Sequence, residues 1–277
     1  MSKIISELTD MTYLDWTRTR HSSGTAGSFL KAHENVRGRK FYYKLSDYNV
    51  AEGICGHECI NEIVVSRLLD VLEIEHLDYT LIHANVLIRD QVQETYLCRS
   101  EDFKHKGESK VALDAFYDME HLPGEAVSDF CLRMGFGDFL YDMFLVDFLI
   151  LNRDRHGANV EILRNRAQRS LRPAPLFDHG VSLAFSAHSD KELDNVNPYE
   201  ERAVQSFVGG NSAYDNLLLI PADKMKQVPD MDIKVRTYLF DGLEDIMGRK
   251  WVDVIWNFLK VRVGIYEDLR NKRQYSG

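Results

Sequence analysis

Two side chains that could carry out chemistry lie five positions apart, directly after an apolar run. They are Asp154 and Asn159 in the sequence LILNRDRHGAN, residues 149–159, and residues 144–151 are mostly apolar. A carboxylate can accept the proton of a hydroxyl group, and an amide oxygen is a hard ligand that suits Mg²⁺. The pair indicates a loop, at the end of a buried element, that joins a general base to a metal ligand.

A further carboxylate follows at Asp178, in the sequence LFDHG. After Asn159 the chain reads as a strand at residues 160–163, a basic turn at residues 164–172 and a second strand-like segment at residues 175–183, so a β-hairpin would bring Asn159 and Asp178 to adjacent strand ends. Protein kinases present a base and a metal-binding Asn with this spacing. The order of these residues predicts a phosphotransferase site, with Asn159 and Asp178 on the metal.

Such a site also needs positive charge near the phosphates, and Lys44 is the candidate. It lies inside a predicted strand at residues 40–45, KFYYKL, where a Lys more often points to solvent. Residues 56–72 predict an amphipathic helix on which Glu62 lies beside the apolar stripe, suited to hold Lys44. Glu58, one turn earlier, is the competing candidate, and a solvated helix acid is the alternative for both.

Small residues crowd the segment TRTRHSSGTAGSFLK, residues 17–31, ahead of that strand. A hairpin turn is one interpretation, and a loop whose backbone N–H groups cradle a phosphate is the other. The segment matches neither G-x-x-x-x-G-K-[ST] nor G-x-G-x-x-G. The residues that would form the phosphate loop are Gly24, Thr25, Ala26, Gly27 and Ser28.

Composition excludes several classes of protein. With 44% hydrophobic and 28% charged residues over 277 positions, the chain is ordinarily globular, with one or two domains. Its net charge of −9 argues against a protein that binds nucleic acid directly. We find no leader and no apolar run of membrane-spanning length, so we expect a soluble, cytoplasmic protein without stable membrane insertion.

Four cysteines without a secretory signal suit reduced thiols rather than disulfides. Cys55, His57 and Cys59 form C-x-H-x-C, but no second ligand pair follows downstream. A zinc site is therefore not expected.

The pattern of elements divides the chain into a β-rich first part and a mainly helical second part. In the first part, residues 1–16 predict a short helix, and residues 79–88 and 95–98 predict strands. The charged residues 99–110 read as a linker. In the second part helices are predicted at residues 135–151, 198–208, 212–219, 231–247 and 249–270. The aromatic residues of the last helix are expected to pack in the core rather than to stack on bases.

The sequences NRDRHGAN and LFDHG resemble those of the HipA-like bacterial kinases, whose architecture is like that of phosphatidylinositol 3/4-kinases and whose compact members are of the CtkA type. The resemblance is strongest over residues 140–185. It implies an α+β, two-lobed protein-kinase-like fold, with an N-lobe at residues 1–100 and a C-lobe at residues 101–277. It also implies ATP and Mg²⁺ as cofactors and transfer to Ser or Thr of a protein, often the kinase itself.

By position, the resemblance assigns a role to each residue of the catalytic group. Lys44 would hold the α- and β-phosphates, and Glu62 would orient it. Asp154 would act as the base, and Asn159 and Asp178 would bind the metal.

The resemblance also assigns residues around the nucleotide. The stretch from Cys98 to Ser100 would meet adenine through its backbone. His156 follows the base, where we expect a structural role ahead of one in binding the nucleotide. The loop hydroxyls of Ser22, Ser23, Thr25 and Ser28 would be candidates for autophosphorylation.

Two other functions stay open at this point. The chain could be a pseudokinase that binds ATP without transfer, although every expected catalytic position is filled. It could also phosphorylate a lipid or a small molecule, although no basic or amphipathic membrane-binding segment is present in the sequence. The chain is shorter than full-length HipA toxins, which puts partnership with a DNA-binding antitoxin in doubt.

Overall fold

The computed structural model describes residues 3–19 and 26–275. Its N-terminal lobe is a six-stranded sheet with one long helix. The elements are β1 (Ile4–Asp10), β2 (Thr17–Thr19), β3 (Ala26–Val36), β4 (Arg39–Lys44), β5 (Tyr48–Asn49), β6 (Gly53–Ile54), α1 (Glu58–Val71), β7 (Tyr79–Ile88) and β8 (Gln91–Glu101). The sheet order is β1-β7-β8-β4-β3-β2, and β5 pairs with β6 apart from it. Only the β1–β7 pairing of this described sheet is parallel.

Two tight hairpins set the register of this sheet. Arg37 and Gly38 connect β3 to β4, and Arg89 and Asp90 connect β7 to β8; all four have positive φ angles, between 48° and 81°. Two-residue turns of this kind match the twist of the flanking strands. The second turn is tighter than the sequence indicates, because β8 begins at Gln91 rather than at residue 95.

The C-terminal lobe is mainly helical. Its elements are β9 (Ser109–Ala112), α2 (Leu113–Glu120), α3 (Val127–Arg133), α4 (Gly137–Ile150), β10 (Asp154–Arg155), a 3₁₀ turn (Gly157–Asn159), β11 (Glu161–Asn165), β12 (Ser170–Pro173), α5 (Asp190–Leu193), β13 (Gln205–Ser206), α6 (Ala213–Leu217), a 3₁₀ turn (Ala222–Lys224), α7 (Ile233–Phe240), α8 (Glu244–Met247) and α9 (Arg249–Tyr275). Strands β12, β11 and β9 form an antiparallel sheet, and β10 pairs in parallel with β13.

Helix α1 joins the two lobes. Its apolar residues pack on β7 and β8 and belong to the same core cluster as α4 and α9. Its buried polar residues reach the C-terminal lobe directly. Asn61 Nδ2 donates to the carbonyls of Gly180 and Ser182 at 3.0 Å, and Arg67 donates to those of Leu239 and Asp241 at 2.9 Å. A movement of α1 would therefore displace residues 180–182.

The helix predicted at residues 1–16 is wrong. Ile4–Asp10 is the edge strand β1, paired with β7. Lys3 holds its start in place, because its ammonium donates to Asp70 and Asp78 at 2.8 Å. Pairing with a distant strand overrides a weak local helical pattern here.

The helix predicted at residues 198–208 is also wrong, because that stretch is largely irregular and contains the short strand β13. The one predicted at 231–247 is divided into α7 and α8 at Gly242, whose φ angle is 71°. The aromatic residues of α9 do pack in the core: Trp251, Phe258 and Tyr266 are buried. Within the described residues, no helix is long and apolar enough to cross a membrane.

Candidate functional site

The geometry at the lobe interface centres on Lys44, the last residue of β4. Its ammonium lies 3.0 Å from Glu62 Oε1 and 2.5 Å from Asp178 Oδ1. Glu58, the competing candidate, points elsewhere and accepts a hydrogen bond from the backbone N–H of Asp47 at 3.0 Å. Lys44 is thus paired with Glu62 from α1 and with Asp178 from the opposite lobe.

Burial and charge act against each other in this cluster. Burial alone would lower the pKa of Lys44, but the carboxylates of Asp178 and Glu62 outweigh it and raise the pKa well above its ordinary value. Burial raises the pKa of Glu62, and the charge of Lys44 opposes that rise. Lys44 is therefore a permanent cation, ready to meet an anionic ligand.

Glu62 also fixes the backbone that follows Asp178. Its two carboxylate oxygens accept hydrogen bonds from the N–H groups of His179 at 2.9 Å and Gly180 at 3.1 Å. A Cβ atom on Gly180 would lie 2.9 Å from Glu58 Cβ, so the close approach of α1 requires glycine at this position. One carboxylate thus positions both the cation and the segment that carries Asp178.

The loop with the predicted base begins where α4 ends. Leu151 takes the left-handed conformation, with φ 49°, and the chain turns back to form β10. Strand β10 is held by β13, since Gln205 N–H donates to the Arg153 carbonyl at 3.0 Å. Asn159 Nδ2 donates to the Asp154 carbonyl at 2.7 Å. The amide oxygen of Asn159 is therefore the atom that faces away from Asp154 toward a possible cation.

A cavity of about 450 Å³ lies between the lobes. Lys44, Asn159 and Asp178 line it together. Its other lining residues include four further lysines and several aromatic rings: Lys31, Lys40, Lys104, Lys110, Tyr42, Tyr79, Phe103 and Phe177. The cations suit a polyphosphate, and the rings of Phe103 and Phe177, with centroids 5.8 Å apart, offer apolar surface to a base.

The remaining predicted nucleotide residues lie in different settings. Cys98 and Ser100 line the cavity, but each has strand partners on both sides, in β4 and β7. Backbone groups that could meet adenine therefore become available only after Glu101, where β8 ends. His156 Nδ1 accepts a hydrogen bond from Ala158 N–H at 3.2 Å, which caps the 3₁₀ turn and is a structural contact.

The predicted phosphate loop falls largely outside the described residues. Gly24 and Thr25 lie outside them, and Ala26, Gly27 and Ser28 are described only as the backbone at the start of β3. Their assignment stays a prediction.

The donor set at Asn159 and Asp178 fits a magnesium ion. An amide oxygen and a carboxylate are hard ligands, and Mg²⁺ commonly uses one or two such groups and completes its shell with water and phosphate oxygens. Asp178 lies within 3.8 Å of a second ammonium, that of Lys31, in addition to Lys44. Its carboxylate is thus already placed at a site of strong cation attraction.

Comparison with solved structures places the fold. The chain is similar to the proinflammatory kinase CtkA of Helicobacter pylori, with a TM-score of 0.64, 15% sequence identity, and coverage of 96% of this chain and 98% of that chain. It is less similar to HipA from the HipA–HipB–operator DNA complex of Shewanella oneidensis MR-1, with a TM-score of 0.48, 14% identity, and coverage of 90% of this chain and 66% of that chain. No protein-family model and no curated protein sequence matches the chain.

The chain has a two-lobed kinase fold. This confirms the fold class predicted from the sequence. The boundary predicted between residues 100 and 101 stays a prediction.

Sequence reasoning missed Arg155, the residue that ties the site together. Its buried guanidinium forms an ion pair with Asp147 of α4 at 2.7 Å. It also donates to the carbonyls of Asn159 at 3.2 Å and Phe177 at 2.9 Å. One side chain therefore joins α4 to the backbone at both predicted metal ligands. The available signal was Asp147, an acid among the apolar residues 143–150 of α4, which needs a buried cation.

Proposed function

We propose that the protein is a kinase that uses ATP and Mg²⁺ to phosphorylate Ser or Thr hydroxyls of a protein. The observation that carries the proposal is the placement of Lys44, Asn159 and Asp178 around one interlobe cavity, on a kinase fold. The CtkA likeness supports the kinase class, because that protein is itself called a kinase.

In this proposal each residue has one task. Lys44 binds the α- and β-phosphates once ATP replaces its contact with Asp178, and Glu62 keeps it oriented. Bound Mg²⁺, held by Asn159 and Asp178, would offset the charge on the phosphates.

Transfer itself then asks for an oriented acceptor hydroxyl. Asp154 accepts its proton as the new oxygen–phosphorus bond forms, and the bond from the γ-phosphorus to the β–γ bridging oxygen breaks to release ADP. Glu62 and Arg155 touch none of these atoms, so they act as positioning residues.

We include self-phosphorylation in the proposal, with Ser22, Ser23, Thr25 and Ser28 as candidate acceptors. Mass spectrometry after incubation with ATP tests it, and a loop without phosphate would contradict it. We also propose a cytoplasmic location, because Cys55, Cys59, Cys98 and Cys131 are free thiols, which suits a reducing compartment.

The test of the main proposal is incubation with labelled ATP and Mg²⁺, alone and with a cell lysate. We expect label on Ser or Thr of protein, and its loss in Asp154→Asn and Asp178→Asn variants. Transfer that persists in both variants would refute the assignment of the site. ATP binding without any transfer would favour the pseudokinase, and label in the lipid or small-molecule fraction would favour the other acceptors.

A further inference from the structure

A second cavity, of about 620 Å³, borders the loop that carries Asp154. Asp154 lines this cavity, whereas Asn159 and Asp178 line the interlobe one. Phe29 also lines it, and the ring of Phe29 lies 4.7 Å from the Lys44 ammonium. The second cavity thus opens next to the phosphate end of the site, where an acceptor hydroxyl has to approach Asp154.

The wall from the N-terminal lobe carries two neighbouring carboxylates, Asp47 and Glu58. Glu58 is 3% exposed, and its Oε2 accepts the Asp47 N–H at 3.0 Å. A Cβ on Gly56 would lie 2.0 Å from that oxygen, so glycine there permits the approach. Burial raises the pKa of Glu58, the Asp47 N–H and the charge of Lys44 oppose the rise, and the charge of Asp47 adds to it. Among the described residues, no cation forms an ion pair with either carboxylate.

The cavity is also lined by Arg153, whose positive charge has an acidic neighbour. Arg153 lies with its guanidinium 5.6 Å from the ring of Phe185. The pKa of Glu200 is lowered by its hydrogen bond from Arg202 and, more weakly, by the charge of Arg153. The positive charge of Arg153 therefore has an acidic neighbour. The charge of Lys44 acts on Glu58, but the two form no ion pair among the described residues.

The cavity continues along the C-terminal lobe. A further cavity of about 210 Å³ shares Arg153 and Phe185 with it and is lined also by Glu192 and Glu200. Segment 203–206 borders the first cavity and is fixed to the Asp154 loop through the β10–β13 pairing. Two adjoining cavities bordered by a strand suit a polypeptide segment better than a compact small molecule.

We propose that the acceptor is a polypeptide segment with a Lys or Arg next to the Ser or Thr that is phosphorylated, and that Asp47 selects it. This rests on the proposed kinase function and names its substrate class. A basic side chain entering the cavity would form an ion pair with Asp47 and lessen the repulsion between Asp47 and Glu58. An anionic lipid headgroup or an acidic peptide would add a third negative charge to the same wall.

The test compares three synthetic peptides that differ only beside one acceptor Ser, with flanking Arg, Gln or Glu. We expect kcat/KM to be about fivefold higher for the Arg peptide than for the Gln peptide, and lowest for the Glu peptide. Asp47→Asn should remove most of this preference, and Asp47→Lys should reverse it. Asp223→Asn, an equal loss of charge at an exposed residue, should leave the preference unchanged.

The outcomes separate this proposal from the one on which it rests. Equal kcat/KM for all three peptides, or an unchanged preference in Asp47→Lys, overturns the basic acceptor while the kinase function stands. No transfer to any peptide or protein by an enzyme that binds ATP overturns the kinase function, and the acceptor class with it. Phosphorylation of anionic lipid vesicles in preference to the peptides also overturns the proposal.

Discussion

Replacing Glu62 by Gln tests the arrangement around Lys44 most severely. Glu62 is fully buried and accepts hydrogen bonds from Lys44, His179 N–H and Gly180 N–H. A Gln has the same shape but only one acceptor oxygen, so its NH₂ group would face a donor. Removing one partner of a buried ion pair costs about 3–5 kcal/mol, and we expect the low end, about 3 kcal/mol, because Asp178 stays on Lys44.

The catalytic effect should exceed the loss of stability. Without the Glu62 carboxylate, the Lys44 ammonium would move toward Asp178 and leave the position from which it contacts the phosphates. Misplacement by about 1 Å can cost roughly 10²-fold in rate, so we expect kcat/KM for ATP to fall by about that factor. The assays are urea unfolding and phosphoryl transfer at varied ATP concentrations.

Glu58→Gln is the matched control, one helical turn away and also buried. Its amide oxygen can still accept the Asp47 N–H, so we expect a loss of about 1 kcal/mol or less and a KM for ATP near that of the wild type. The reasoning is refuted if Glu62→Gln keeps wild-type stability and ATP kinetics while Glu58→Gln loses them.

Three further predictions follow from named contacts. Arg155→Lys keeps a positive charge beside Asp147 but loses the guanidinium N–H groups that donate to the carbonyls of Asn159 and Phe177. We expect the free energy of unfolding, measured in urea, to fall by about 2–4 kcal/mol, and kcat to fall as well. An unchanged kcat would contradict the positioning role. Gly180→Ala should lower the free energy of unfolding by about 1–3 kcal/mol and slow phosphoryl transfer, because the new Cβ would collide with α1. Gly264→Ala has open space around it and should stabilise α9 by about 0.5–1 kcal/mol. Equal effects of the two substitutions in urea unfolding would refute the close approach at Gly180. Burial raises the pKa of Tyr42 from 10.0 to about 12, so the stability that its neutral phenol contributes is complete below pH 10 and lost as the pH rises toward 12. Tyr42→Phe should remove one phenol of high pKa from an absorbance titration and reduce the loss of stability between pH 10 and 12. A titration unchanged by the substitution would contradict this assignment.

The fold could be predicted where pattern and long-range structure agree. The buried helix α4 follows from a run rich in apolar residues, and a hairpin after residue 160 follows from a strand-like segment and a basic turn. The second strand of that hairpin was placed wrongly: β12 is Ser170–Pro173, within the predicted turn, and not at residues 175–183. The prediction failed at β1 and β13, whose short pairings depend on strands far away in sequence. Local periodicity contains no record of such partners.

The candidate site shows the same division. Sequence alone identified the candidate residues in their order along the chain, because phosphoryl transfer restricts both residue type and spacing. They are Lys44, Asp154, Asn159 and Asp178. Lys44 contacts Glu62 and not Glu58 because of how α1 is rotated and positioned along its axis. The sequence pattern does not determine which of these two acids, one helical turn apart, faces Lys44. Arg155 was missed because it looks like any charged loop residue until Asp147 is found beside it.

The most direct test of the account is the binding of Mn²⁺, as a spin-active substitute for Mg²⁺, in the presence of a non-hydrolysable ATP analogue. Electron paramagnetic resonance would follow free Mn²⁺ in the wild type and in three variants. The account predicts that Asp178→Asn and Asn159→Ala lose the nucleotide-dependent site, while Asp154→Asn keeps it and loses only transfer. Loss of Mn²⁺ binding in Asp154→Asn together with its retention in Asp178→Asn would contradict the assignment of base and metal ligands.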